Sequence, residues 1–583
     1  MPGLWRHGAI VQADGTTRFS LWAPGAAQVR IELGGGERYS LEAQADGWFI
    51  ALLDCPAGTA YRYWIDGHLP VADPASRAQL EDVEGWSLVV DQHAYAWQTP
   101  QWLGRPWHEA VFYELHVGLL GGFAGVLARL PELQRLGVTA IELMPLGEFP
   151  GQRNWGYDGV LPFAPESAYG TPEQLKQLID GAHALGLMVF IDVVYNHFGP
   201  QGNYLHRYAS TFFRNDVQTP WGAAIDFRRP QVRDFFCENV LMWLLDYRVD
   251  GLRLDAVHAI PDQQFLVELA DRARVAVGVE RQVHLVLENE DNQVRLLEQG
   301  FTAQWNDDGH NLLHSLLTDE REGYYADFSQ QRTAKLAQVL SEGFVFQGQT
   351  DRRGRVRGEP SGKLPPYAFV LFLQNHDQVG NRALGERLVT LADRQALKVA
   401  VALQLLCPMI PLLFMGEEWG STQPFLFFTD YHDELGRAVR EGRQGEFADF
   451  SAFAGQAGEQ IPDPNAPSTF LRSQPGAGPA QPDQHSWWAF YRDLLDVRHR
   501  HIVPRLRGTR PGHAQVLADR AVSTVWCMGD EVRLRIDLNL SDSAVANRPL
   551  SGRAHLLFGL RLDAEQPGTL PPRSLLATLE PAP

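Results

Sequence analysis

From about residue 110 to residue 500, short apolar strands alternate with helical segments. The strand-like runs are "AVFYELHVG", "AIELMP", "VFIDVV", "GLRLDA", "HLVLEN", "TAQWN", "FVLFLQNH" and "IPLLFMG". Between them lie amphipathic stretches such as Thr171–Gly186, Arg229–Arg248 and Arg394–Cys407. Thr171 reads as an N-cap, followed by Pro172 at the first helical position and the early acid Glu173. The last helix is expected over His485–His501. Eight strand–helix units over about 400 residues predict an α/β fold, a (β/α)8 TIM barrel with long loop insertions.

The flanks read differently. Residues 1–97 alternate in the β manner ("RFSLWAP", "QVRIEL", "GWFIALL", "AYRYWIDG"), with Gly, Pro and Asp between the runs, which predicts a small N-terminal β-sandwich. Trp97–Trp107 reads as a linker. After about residue 510 the strand patterns "VSTVWCMG", "EVRLRIDLNLS" and "AHLLFGLR" predict a C-terminal all-β domain of the sandwich type. The expected division is 1–97, 98–505 for the barrel, and 506–583.

The formal net charge of −19 disfavours nucleic acid and anionic membranes as partners and fits a neutral substrate. Sixteen tryptophans, sixteen tyrosines and thirty phenylalanines exceed nothing a large core could use, but some could stack on the C–H faces of sugars. The four cysteines have no metal or redox spacing, and Cys237 and Cys407 sit inside apolar helical patterns as core residues. The start of the chain lacks a charged-then-apolar signal layout, and no run of about 18 apolar residues suggests a membrane helix. A cytoplasmic protein is expected.

Barrel enzymes place reactive groups at the C-terminal ends of their strands. The first strand brings Glu114 and His116; the third brings Asp192, Asn196 and His197. The fourth brings Arg253, Asp255 and His258; the fifth Glu288 and Glu290; the seventh Asn375, His376 and Asp377. One strand-end carboxylate could be a structural cap. Three converging on one rim from the fourth, fifth and seventh strands shift each other's pKa and cost stability, so function is the better explanation. Two carboxylates flanking a bond are what glycoside cleavage needs. Arg253 shares a strand face with Asp255 and keeps it ionised, which suits a nucleophile. Glu288 has no basic sequence neighbour except His284, and burial would hold it protonated, as an acid requires. Glu290 has the same parity and competes for that role. Glu417 and Glu418, after the eighth strand, are expected to brace the rim, and the Arg498–His501 cluster to lie on a solvated helix face. Trp155, Tyr157, Phe198, Tyr204, Trp221 and Trp305 lie at strand ends, each as compatible with packing as with sugar stacking. There is no His-Glu-x-x-His, phosphate-cradling loop or Ser elbow.

"DVVYNH", "GLRLDAVH", "LEN" and "QNHD", in that order, resemble the four signature segments of the α-amylase family of glycoside hydrolases, whose members retain anomeric configuration. The resemblance implies Asp255 as nucleophile, Glu288 as acid/base and Asp377 as the third acid gripping the sugar. It implies substrate-binding roles for Arg253, His197, His376 and Tyr157, with Asn375, Asp192, His258 and Trp305 added around them. "NWGYDGVLPFAPESAYG", "QWNDDGHNLLHSLLTDEREGYYADF", "LQNHDQVGNRALGERL" and "LLFMGEEWGSTQPFLFFTDY" are similar to the branch of that family that cuts maltooligosyltrehalose. "RFSLWAPGAAQVRIEL" resembles the carbohydrate-binding-like β-sandwich shared with glycogen-branching and debranching enzymes. The implied reaction is hydrolysis of the α-1,4 bond beside the terminal trehalose, with an α-glucan substrate and trehalose as product. The alternatives are an α-glucan branching enzyme, another hydrolase of the family, or a non-catalytic glucan-binding protein. Calcium-dependent members typically follow the nucleophile with Ala-x-Lys-His. Here Ala256-Val257-His258-Ala259 lacks the final His, so no metal cofactor is expected, although Asn196 keeps a calcium-type amide. Gly309 stands where relatives often carry a bulkier residue, which leaves the shape of that loop open.

Overall fold

The computed structural model describes residues 5–219, 221–447, 461–550, 552–563, 565–566 and 568–581. The first four residues of the stretch read for a signal layout lie outside these. Eight parallel strands close into a barrel in chain order: β1 (Phe112–Leu115), β2 (Ala140–Leu143), β3 (Met188–Val193), β4 (Gly251–Leu254), β5 (His284–Leu287), β6 (Ala303–Trp305), β7 (Phe369–Phe372) and β8 (Ile410–Phe414). Every expected strand is present. Each is fully buried, because helices cover its outer face and side chains fill the inner one. The helix α1 (Pro172–Ala184) starts as its sequence requires: Thr171 accepts from the Gln174 amide, and Gln174 reaches back in a capping box.

Two antiparallel sheets precede the barrel, one built on Thr17–Trp22 against Trp48–Leu53, the other on Val29–Leu33 against Ala60–Ile65. A five-stranded antiparallel sheet follows it. This sheet includes two strands absent from the sequence reading, the edge strand His513–Ala518 and the fully buried Ser574–Glu580. Among the described residues no helix is long and apolar enough to cross a membrane. Cys237 and Cys407 are buried, as their patterns suggest.

The stretch Trp97–Trp107 is not a free linker. Trp107 packs into the barrel interior with Phe112, Phe190 and Val286, and its indole donates to the Tyr367 carbonyl at 2.6 Å. Trp102 stacks on His183 and donates to Asp250 at 2.7 Å. Aromatic residues bury large apolar areas, so this segment closes the barrel floor. The Arg498–His501 cluster also differs from expectation. It follows α3 (Pro482–Val497), and Arg498 is wholly buried, donating to the carbonyls of Leu405, Cys407 and Met409 at 2.7–3.0 Å. A guanidinium can satisfy several orphan carbonyls at once, which a pattern of basic residues does not reveal.

Candidate active site

Side chains alternate along a strand, so inward positions recur every second residue. The barrel's lower interior layer is apolar: Phe112, Ala140, Phe190, Val286, Ala303, Phe372 and Leu412 cluster there. Gly251 belongs to the same parity, and a Cβ at that position would lie 2.1 Å from Phe190, so only glycine fits. Two residues further along, the parity delivers Glu114, Glu142, Asp192, Arg253, Glu288 and Trp305 on β1 to β6, and Gln374 and Phe414 on β7 and β8. Four further it delivers Asp255, Asp307 and His376. The chain thus changes from apolar to largely ionisable within one layer, at the C-terminal mouth.

Arg253 organises that layer. It is fully buried over the Trp305 ring, with its guanidinium carbon 4.2 Å from the ring centroid. Its Nη1 donates to Asp192 at 2.7 Å and to Asp255 at 2.8 Å, and Nη2 lies 3.5 Å from Glu288. One cation therefore ties the ends of β3, β4 and β5 together. Asn196 donates to the second oxygen of Asp255 at 2.9 Å, so both oxygens of that carboxylate are held in place. Just after Asp255 the backbone enters the left-handed region at Ala256, φ 42°, and this turn aims the Ala256 N–H at Glu288, 2.5 Å away. Burial pushes the Glu288 carboxyl up from its usual range. Asp255 and Asp377 push the same way, against Arg253 and His258.

Asp377 follows β7 and is the most open of the three acids, its side chain 41% exposed. His376 beside it is buried, and burial alone would lower its pKa. Asp377 and Glu114, whose carboxylate accepts from both the backbone N–H and the ring of His376, outweigh that and raise it to about 9. Tyr157 stacks on His376 with centroids 4.9 Å apart and donates to Asp192 at 2.5 Å. His197 donates to the Tyr157 carbonyl at 2.9 Å and stacks against Trp221 at 4.5 Å.

The structure brings Asp255, Glu288, Asp377, Arg253, His197, His376 and Tyr157 to one mouth. Four expected substrate contacts are corrected. Arg253 is 0% exposed and engaged with Asp192, Asp255 and Glu288; Trp305 is 1% exposed and lies beneath it; Asn375 is equally buried and caps the next turn, accepting from Gln378 N at 2.8 Å; Asp192 is 2% exposed and holds Arg253 and Tyr157. All four support the floor from below. His258 stays at the rim, its ring accepting from Glu290 N at 3.2 Å. Glu290 is drawn away from the centre by Arg355, 2.9 Å from it, and burial is outweighed by Arg357 and Arg355, so its pKa is lowered. That disposes of it as a rival acid. Glu417 and Glu418 brace the rim as expected, accepting from Tyr491 and Tyr113.

The Asn196 amide, the calcium-type group that the sequence keeps, is engaged with Asp255 and with His197, 2.5 Å from its oxygen. Among the described residues no group of three His, Cys, Asp or Glu is disposed to hold a metal ion.

Sequence reasoning missed Asp307, although its parity is that of Trp305. Asp307 begins the helix α2 (Asp307–Thr318), in which Gly309 is accommodated because a Cβ there would come 2.8 Å from Leu371.

The chain is 40% identical over 551 residues to the malto-oligosyltrehalose trehalohydrolase of Deinococcus radiodurans, covering 90% of this chain and 89% of that one. The chain belongs to the malto-oligosyltrehalose trehalohydrolase family, within the α-amylase family. The member from Rhizobium sp. strain M-11 is 38% identical, covering 97% and 98%. The family model for the α-amylase catalytic domain matches residues 99–221, and a domain of unknown function, DUF3459, matches residues 509–576. The crystal structure of a putative α-amylase from Salmonella typhimurium superposes with a TM-score of 0.93 at 43% identity, covering 98% of this chain and 99% of that one.

Proposed function

We infer that this member of the trehalohydrolase family hydrolyses the α-1,4-glucosidic bond next to the terminal trehalose of maltooligosyltrehalose, with retention of configuration. The observation that carries the reading is the convergence of Asp255, Glu288 and Asp377 on one barrel mouth, two of them on a single guanidinium. Asp255 attacks the anomeric carbon of the last glucose before the trehalose. Glu288, whose pKa burial and the acidic neighbours push up, donates its proton to the departing oxygen. Trehalose leaves, and a glycosyl ester to Asp255 remains. Glu288, now ionised, takes a proton from water, whose oxygen attacks the same carbon and restores both acids. Asp377 grips hydroxyls of that glucose, with the buried, cationic His376 beside it, and Tyr157 and His197 form the wall. Trp221, 47% exposed, and Tyr324, 61% exposed, offer sugar-stacking faces at the mouth. A cytoplasmic reaction is part of this reading; among the described residues no helix is long and apolar enough to cross a membrane.

The test is product analysis. With maltotriosyltrehalose the enzyme is expected to release trehalose and maltotriose, the new reducing end appearing first as the α-anomer by NMR. A branching enzyme would instead form α-1,6 links from amylose, and that product without trehalose release would replace this reading.

A further inference from the structure

Asp307 is the fourth carboxylate at the mouth, and nothing in the mechanism above uses it. Its place is set by its neighbours. Asn306 donates to the Gly343 carbonyl at 2.9 Å and accepts from Gly309 N at 3.0 Å. Asp308 accepts from Asn292 and from the amides of Val345 and Phe346 at 2.9–3.0 Å. Both side chains are buried and committed to the protein. Asp307, between them, is partly exposed, and its carboxyl has one protein donor, Gln378 Nε2, at 3.4 Å. Gln378 is the residue after Asp377, while Asp307 itself follows β6, so the group stands on the rim between Glu288 and Asp377. Glu288 and Asp377 exert the largest charge effects on it. Burial and those two neighbours push its pKa up, against Arg253; a carboxyl accepts hydrogen bonds and, when protonated, donates one.

A carboxyl at that point borders the same opening as Glu288. The acid must reach the oxygen that joins the two sugars; Asp377 serves the inner glucose, and the departing sugar is left for the carboxyl between them. We propose that Asp307 binds a hydroxyl of the leaving sugar adjacent to the scissile oxygen, and so positions that oxygen against Glu288. This deepens the hydrolase reading and rests on it.

The role separates from a structural one by the choice of leaving group. Maltotriosyl fluoride enters the glucan side of the site but brings no leaving sugar. Asp307→Ala is expected to lower kcat/KM on maltotriosyltrehalose by roughly 10- to 100-fold, the loss of one hydrogen bond, and to lower it several-fold less on maltotriosyl fluoride, which still needs Glu288 as base. Asp307→Asn, which keeps a donor and an acceptor, is expected to lose less than the Ala variant on the first substrate, with the same order between substrates; it carries the test if the Ala variant fails to fold. An equal loss on both substrates, or no loss on either, overturns the proposal. If the wild-type enzyme cleaves maltooligosaccharides but releases no trehalose, the trehalose reading fails, and the contact to the leaving sugar is then read on maltohexaose against the same fluoride.

Discussion

Glu417 and Glu418, just beyond β8, and Glu288, just beyond β5, are strand-end carboxylates at the same mouth, and burial pushes all three toward the neutral form. Their surroundings differ. Glu417 accepts from the Tyr491 hydroxyl at 2.9 Å and Glu418 from the Tyr113 hydroxyl at 2.7 Å; each is almost wholly covered, and each is raised to about 7. Glu288 has one backbone donor, Ala256 N, and an open side toward the cleft. Glu142 is raised in the same way with neither oxygen partnered by protein, and one oxygen of Glu418 is also unpartnered, yet both are closed off from the cleft. The Glu288 side chain remains 18% exposed. Perturbed pKa values and open hydrogen-bonding capacity do not by themselves separate a brace from an acid; access to the cleft does.

The largest effect that could break this contrast is at Glu288. Glu288→Gln keeps shape and burial but cannot donate a proton to the leaving oxygen. It is expected to lower kcat by roughly 10²- to 10⁴-fold, with the unfolding midpoint close to wild type. On maltotriosyl fluoride, whose leaving group needs little protonation, the deficit should shrink. An undiminished deficit there would mean Glu288 is not the acid.

The brace should respond the opposite way. Tyr491→Phe removes the hydroxyl that α3 presents to Glu417 and leaves a buried acceptor without its donor. The expected cost is about 1–3 kcal/mol of unfolding free energy, measured by urea denaturation, with kcat within about twofold of wild type. A large activity loss at unchanged stability would place Glu417 among the working acids.

Much of the fold and part of the site were legible in the residues. The eight barrel strands announced themselves because each is buried on both faces and so carries a dense apolar run. The acids were legible because they end such runs abruptly. The depth of a residue in the barrel was not. Trp305 and Asp307 share one parity, but Arg253, arriving from two strands away, covers the tryptophan and leaves the carboxyl beyond it at the open mouth. Trp107 and Arg498 were misplaced for a related reason: periodicity shows which face a residue takes, whereas a long side chain's partners are set by chain segments far away, 91 residues for Arg498 with Cys407 and 260 for Trp107 with Tyr367. Trp107 donates to Tyr367, and Arg498 reaches the carbonyls after the helix Arg394–Leu406.

The smallest test sharpens the electrostatic half of the contrast. The charges acting on Glu288 include Arg253 and Asp255 on β4 and Asp377 beyond β7, whereas Glu417 feels Arg387. Glu288 works protonated in the first step, so activity is lost as pH rises through its pKa, and that loss sets the basic limb of kcat/KM. The Glu417 brace, filled by Tyr491, takes no part in the reaction, so Tyr491→Phe should leave that limb unmoved. A basic limb that follows Tyr491 would assign the controlling acid to the wrong side of the barrel mouth.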